Sequence, residues 1–270
     1  MKVKKIIYII ALVILLTVFA VSAVYVIGYF VEGAKQKAEY DELAGIVESI
    51  QQETHPEENS TGSTEDSSAE STEPSQPTGA ILPEYAPLYE MNSDLVGWVR
   101  IEGTNVNYPV MQTPDNRDFY LYRNFKKEYS ARGCIYVRET CDVNAPSDNL
   151  TIYGHNMNDG SMFHNLRYYD AKEYYEAHPI IVFDTLTEQH TYQIFAVFKT
   201  TATVGKGFDY HHFEDAATQA DFDDFVKQCK ALSFFETGHT PSYGDKLICL
   251  STCEYTQENG RLVVAAYRVS

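Results

Sequence analysis

Ile6 to Phe30 are twenty-five consecutive residues without a charge, rich in Ile, Val, Leu and Ala. A chain with such a run is constrained at once, because about twenty apolar residues in a helix cross the ~30 Å hydrocarbon layer of a membrane. This run is long enough to cross with some tilt. Lys2, Lys4 and Lys5 precede it, and the first acid is Glu32. Positive charge stays on the cytoplasmic side, so one crossing is expected, with the N-terminus cytoplasmic and residues 31–270 outside. The competing reading is a cleaved signal peptide, for which Val21-Ser22-Ala23 resembles a small-residue cleavage site. The apolar run continues past Ala23 and exceeds a signal's apolar segment, which favours an uncleaved anchor.

The external part carries all 38 acids and 18 of the 21 basic residues, 18 − 38 = −20. Such a surface repels phosphate backbones and argues against nucleic acid as a partner. Five cysteines, at 134, 141, 229, 249 and 253, leave at least one thiol free unless chains pair. Cys249 and Cys253 lie on one apparent strand, about 13 Å apart and too far to bridge. A Cys134–Cys141 bridge stays open from sequence.

The chain divides by composition. Residues 1–30 are the cytoplasmic tip and anchor, and 31–52 have the mixed charge of a helical stalk. Residues 53–80 hold Glu, Ser, Thr, Pro and Gly with seven acids and no Lys, Arg or aromatic residue. That material cannot bury enough to fold and reads as a solvated tether spanning about 30 Å as a coil. Residues 81–270 are the folded domain. Within it, Val-, Ile-, Tyr- and Phe-rich segments predict strands at Gly97–Ile101, Val106–Met111, Gly133–Val137, Leu150–Tyr153, Ile180–Asp184, Thr191–Lys199, Lys246–Thr252 and Leu262–Val269. Tyr108-Pro109 predicts an edge or a bulge there. Helices are expected at Tyr85–Met91, around Met162–Tyr169, and over Thr218–Phe234, where Phe222, Phe225, Val226, Cys229 and Leu232 share one face. Eight strands with inserted helices predict a mostly β fold, a closed or nearly closed barrel behind a transmembrane helix.

Three pieces of sequence carry chemistry: Tyr153-Gly154-His155-Asn156, Leu250-Ser251-Thr252-Cys253, and Arg261 opening the last strand. Each lies where a strand begins or ends, where a rigid scaffold presents side chains. A neutral thiol is a poor nucleophile, and a neighbouring base or cation activates it. An antiparallel hairpin of the last two strands brings Cys253 and Arg261 to one end of the barrel. Taken singly, a cysteine at a strand end is ordinarily a packed thiol, and a histidine in a turn is ordinarily structural.

The run Tyr153-Gly-His-Asn-Met-Asn-Asp-Gly-Ser-Met-Phe163 closely resembles the histidine-loop signature of class B sortases. Leu250-Ser-Thr-Cys253 and Arg261-Leu-Val-Val264 resemble that family's cysteine and arginine motifs. Asp94-Leu-Val-Gly-Trp-Val-Arg-Ile101, Tyr108-Pro-Val and Gly133-Cys-Ile-Tyr136 look like it as well, so the similarity covers about residues 84–270. The resemblance implies an eight-stranded sortase-type barrel with Cys253 as nucleophile, His155 as acid and base, and Arg261 stabilising the oxyanion or substrate. It also implies a helical insertion before the cysteine strand, which the pattern at Thr218–Phe234 suggests on its own. Ser251, Thr252 and the backbone N–H of Glu254 are expected to border the substrate. Cys134 departs from the pattern, where serine is expected.

The implied activity is cysteine transpeptidation. A sorting-signal peptide of a surface protein is cut after Thr through a thioester, and the acyl group passes to an amine of a peptidoglycan precursor. Two rivals remain at this stage: a hydrolytic cysteine peptidase using the same residues, and a silent wall-binding module, which the intact Cys, His and Arg disfavour. No cofactor is expected. His211-His212 tempts a metal reading, but no carboxylate or cysteine is recognised at ligand spacing, so no metal is expected. The acids over 214–224 lack the alternating loop of a Ca²⁺ site. Ser75-Gln-Pro-Thr-Gly79 faintly resembles a sorting motif but has no apolar tail after it.

Overall fold

The computed structural model describes residues 2–54, 79–203 and 205–270. Most of the expected tether, 55–78, lies outside the described residues. By contacts the chain forms two units, Met1–Asp41 and Glu42–Ser270.

The first unit is helical and belongs to α1, Lys2–Thr54. Its stretch from Ile6 to Phe30 is apolar and long enough to cross a membrane, and large side chains such as Ile9, Leu15, Phe19 and Val24 are exposed along it. A helix satisfies its own backbone polar groups, which a hydrocarbon layer requires. The helix does not stop at Phe30: residues 31–54 contain no proline, and Lys37 bonds Asp41 one turn on at 2.7 Å.

The second unit is a closed barrel of eight strands: β1 Leu95–Arg100, β2 Asn107–Met111, β3 Ile135–Val137, β4 Asn149–Tyr153, β5 Ile180–Thr185, β6 Thr191–Thr201, β7 Leu247–Cys253 and β8 Gly260–Arg268. Around the barrel the order is β1-β2-β3-β4-β7-β8-β6-β5, closed by β5 on β1. Two neighbours, β2–β3 and β4–β7, are parallel, and the rest are antiparallel. Pro109 fits inside β2 for a specific reason. Ile101 N–H donates to Val106 O at 2.9 Å, and the two-residue alternation makes Trp98↔Pro109 a pair without ladder bonds. The proline nitrogen therefore faces the side where β3 pairs only from Val110 onward.

The helix expected over Thr218–Phe234 is α4, Gln219–Leu232, begun by Thr218, whose hydroxyl accepts from Asp221 N–H at 3.3 Å. Such a cap stabilises by about 1 kcal/mol. Phe222, Phe225, Val226 and Cys229 pack on Phe195, Phe198, Leu247, Cys249, Val263 and Ala265. That cluster covers the outer face of β6, β8 and β7, which is why β7 reads as an unbroken apolar run rather than an alternating one.

Three expectations change in detail. Residues 163–170 form a 3-10 helix rather than an α-helix, preceded by Met162 at φ 57°. Phe163, Leu166 and Tyr169, three apart, are all fully buried, and three residues per turn keeps them on one line. The third strand begins at Ile135, because Gly133 at φ +57° cannot be extended. A short helix α3, Lys172–Ala177, and two further 3-10 turns, Phe119–Tyr122 and Tyr210–His212, lie in segments read as loops; α2, Ala86–Met91, matches its expected position.

Candidate active site

The ladder sets the site. β7 and β8 run antiparallel with Ser251↔Val263, Thr252↔Leu262 and, last, Cys253↔Arg261. Residues directly opposed across such a pair share one face. Arg261 therefore lies inside β8 beside the cysteine, one residue after the strand begins. On the other side, β4 runs parallel to β7 with Tyr153↔Ser251. Continuing this register by two residues brings His155 level with Cys253. All three line one cleft of about 180 Å³, with Leu121, Tyr153, Gly154, Tyr210, Ser251 and Thr252 in its wall.

His155 is held by the chain before it. Its Nε2 lies 2.8 Å from the carbonyl oxygen of Leu121. A carbonyl only accepts, so Nε2 carries the hydrogen and the neutral ring keeps its lone pair on Nδ1. Tyr122 packs on the ring at 5.6 Å between centroids. Leu121 and Tyr122 belong to the 3-10 turn Phe119–Tyr122, and a backbone carbonyl there leaves no mark in the sequence. Asn156 adds a tie that sequence reasoning did not assign: its Nδ2 donates to Cys253 O at 3.1 Å, joining the histidine loop to the end of β7.

Of the five cysteines, Cys253 is the one that is not buried. Burial pushes the Cys141 thiol up to about 11 and raises those of Cys229 and Cys249 well above the ordinary value. Those thiols stay protonated and unreactive. Arg261 donates from Nη1 to the carbonyls of Gly260 and Asn259, at 3.0 and 3.3 Å, and has no carboxylate partner among the described residues. The other cations of the cleft are engaged: Arg138 with Glu214 at 3.0 Å, and Arg117 with Asp118 at 3.3 Å and Glu139 at 3.6 Å.

Ser251 and Thr252 border the cleft but are only 1% and 2% exposed. Their hydroxyls are committed inside the protein. Ser251 Oγ and Tyr210 OH share a 2.6 Å bond, and Thr252 donates to Gly154 O at 2.7 Å. The backbone N–H of Glu254, expected to face the substrate, points elsewhere: it donates to Gly260 O at 3.0 Å and closes the β7–β8 hairpin. The Glu254 carboxylate works in the loop. Burial opposes its ionisation, but the Thr256 hydroxyl and amide and then Lys199 hold its pKa below the usual value.

The reading of His211-His212 also changes. Asp209, two residues before His211, brings a carboxylate within 2.7 Å of His212 Nδ1 and 3.2 Å of His211 Nδ1. A donor carboxylate is thus present, on a turn too short for the spacing considered in the sequence.

Comparisons with known proteins point to one family. A family model described as the sortase domain matches residues 99–269. Sortase B of Listeria monocytogenes is 36% identical over 190 residues, 69% of this chain and 74% of that protein. Among solved structures, a complex of Staphylococcus aureus sortase B with substrate superposes at a TM-score of 0.73 and 26% identity, over 88% of this chain and 98% of the other. A sortase B complexed with triglycine superposes at 0.71 and 27% identity, over 88% and 100%.

Proposed function

The chain belongs to the sortase family, in its class B, and is a cysteine transpeptidase; from that premise we propose the parts of the reaction and the residues that carry them. Cys253 is the nucleophile. Its thiolate attacks the carbonyl carbon of a threonine in a Thr-Gly or Thr-Asn type sorting motif near the C-terminus of a surface protein. The C–N bond breaks, protonated His155 gives its proton to the leaving amine, and a thioester remains on Cys253. An amine of a peptidoglycan precursor then attacks the thioester. His155 takes the proton of that amine, the C–S bond breaks, and the thiolate returns.

The observation that carries this reading is the placement of Cys253, Arg261 and the anchored His155 in one cleft. The Leu121 carbonyl fixes the imidazole with Nδ1 as its exchanging nitrogen. Arg261, with no carboxylate partner among the described residues, offers N–H donors to the oxygen that gains charge, a role worth about 2.7–4 kcal/mol per donor. Ser251 and Thr252 act on the substrate through the shape of the wall rather than through their hydroxyls.

The apolar helix is the membrane anchor. We place its lysine-bearing end in the cytoplasm, the barrel outside, and 53–80 as the tether between them. There the acceptor amines of wall precursors are within reach. Residues 81–270 hold 16 basic and 26 acidic side chains, 16 − 26 = −10, a field that mildly favours a cationic incoming group. The triglycine in complex with the related sortase B carries such an amine at its N-terminus.

The acid-to-amide product ratio tests the proposal. The full chain in detergent is given a motif peptide at fixed concentration while an oligoglycine or a diamino-acid stem peptide is raised. Turnover is expected to rise and product to move from free acid to amide, with the thioester accumulating on Cys253 when amine is withheld. Free acid alone across a panel of wall-like amines overturns transpeptidation to wall amines and leaves hydrolysis.

A further inference from the structure

One cluster outside the reaction described above carries metal-binding chemistry. The 3-10 turn Tyr210–His212 and Asp209 before it gather one donor atom each from Asp209, His211 and His212 within 4.8 Å of one another. The Asp209 carboxylate lies 2.7 Å from His212 Nδ1 through either oxygen, and 3.2 Å from His211 Nδ1. Zinc bonds to imidazole nitrogen and carboxylate oxygen are about 2.0–2.1 Å, which sets neighbouring ligands roughly 3.3 Å apart in a tetrahedron. The Asp209–His211 separation already matches that spacing, and the Asp209–His212 separation needs to open by about 0.6 Å.

The turn is built firmly enough to present these groups. Tyr210 between them is buried, packs on Phe198, and shares the 2.6 Å bond with Ser251 of β7. Asp209 and His212 themselves have side chains 61% and 59% exposed, so they can be reached and can adjust. They also border a groove that contains Asp221 and Asp224, which raises the local concentration of cations. Arg138 and Arg261 act in the opposite sense from the His211 side.

We propose that Asp209, His211 and His212 form a binding site for a divalent first-row metal ion of the zinc class, with the fourth position open to water. Two imidazoles and a carboxylate suit that class of ion. His211 also lines the cleft that holds Cys253 and Arg261, so an ion here fixes the segment entering α4 against the wall of that cleft.

The test uses Co²⁺ as a spectroscopic probe on the full chain in detergent, in a Cys253→Ala background. That background removes the thiolate beside His155 as a competing site. One equivalent of Co²⁺ is expected to bind with visible ligand-field bands and no thiolate charge-transfer band, and Zn²⁺ is expected to displace it. His212→Gln and Asp209→Asn should each weaken binding by about tenfold or more. Their exposed positions leave the barrel intact, which the metal-free melting midpoint checks. Added Zn²⁺ should raise that midpoint in the parent and not in either variant. Absence of saturable Co²⁺ binding overturns the proposal and leaves an ordinary histidine–carboxylate turn. Binding that neither substitution weakens overturns it equally, because the ion then sits elsewhere.

Discussion

Cys253 and Arg261 are register partners, the last pair of the β7–β8 ladder before the chain turns. Their side chains leave the hairpin on the same face, so the distance between thiol and guanidinium is set by the sheet rather than by a loop. The turn beyond them is closed by the Glu254 N–H bond to Gly260 and by Asn259 at φ 52°. A rigid element on either side of the reacting bond is what transition-state stabilisation requires.

The pairing gives Arg261 a testable part. A guanidinium offers a planar fork of donors, whereas lysine offers a point charge. Arg261→Lys should lower kcat by about 10²–10³-fold, the usual effect of losing one oxyanion donor. The melting midpoint should stay near that of the parent, since among the described residues Arg261 donates to the Asn259 and Gly260 carbonyls, which an ammonium can also reach. Near-parental turnover in this variant would reduce Arg261 to a structural residue.

Two cysteines separate chemistry from packing. Cys253→Ala should abolish thioester formation and peptide cleavage while leaving the fold unchanged. Cys229, fully buried between α4 and the barrel, should show the reverse: Cys229→Ala keeps turnover per folded molecule and costs about 1 kcal/mol of stability. Peptide cleavage at the parental rate by Cys253→Ala would remove the cysteine mechanism.

How far the site can be read from sequence follows from the kind of contact each part makes. The hairpin holding Cys253 and Arg261 is legible because an apolar strand, a polar loop and a second strand follow one another in the chain. The level placement of His155 depends on the parallel β4–β7 pair, whose register joins residues about a hundred positions apart and leaves no local pattern. The Leu121 carbonyl is backbone and invisible to residue type. The bond from the Glu254 amide to Gly260 is equally hidden, because it is decided by how the turn closes. Asp209 escapes notice because a tight 3-10 turn converges groups that an extended spacing rule keeps apart.

Gly154 offers a test of positioning without touching a reacting group. A Cβ there would lie 2.5 Å from Ile135 Cδ1 and 2.6 Å from Phe163 Cδ2, inside closed packing. Gly154 also accepts from Thr252 and directly precedes His155. Gly154→Ala should cost about 1–3 kcal/mol of stability through overpacking. Its kcat should fall while KM for peptide changes less, because the histidine moves and the cleft wall largely stays. Gly45→Ala, with nothing within 4 Å of the added carbon, serves as control and should be neutral or slightly stabilising in α1. Equal effects of the two substitutions on kcat would refute a positioning role for Gly154.

The buried hydroxyls and thiols of the barrel predict how it responds to base. Burial raises Tyr192 to about 12 from an ordinary 10.0, and Cys141 to about 11 from 9.0. Tyr85, Tyr120, Tyr136, Tyr169 and Tyr210 are raised in the same direction, also by burial first. A group whose pKa is raised by folding holds its proton longer in the folded state than in the unfolded one. Below pH 9 both states are protonated at these groups, and they add no pH dependence. Above it the unfolded state sheds protons first, so stability falls as pH rises, from about 9 to 11 for Cys141 and from about 10 to 12 for Tyr192. Each group contributes a slope of up to about 1.4 kcal/mol per pH unit within its window. The single tryptophan, Trp98, is buried between β2 and β5 with its Nε1 donating to Asn107 at 2.6 Å, so its fluorescence reports the barrel alone. Thermal unfolding followed at Trp98 should show a midpoint insensitive to these groups from pH 7 to 9 and dropping progressively above 9.5. A midpoint that stays level through pH 11 would mean that these side chains are hydrated in the folded state, and the closed packing of the barrel interior would have to be revised.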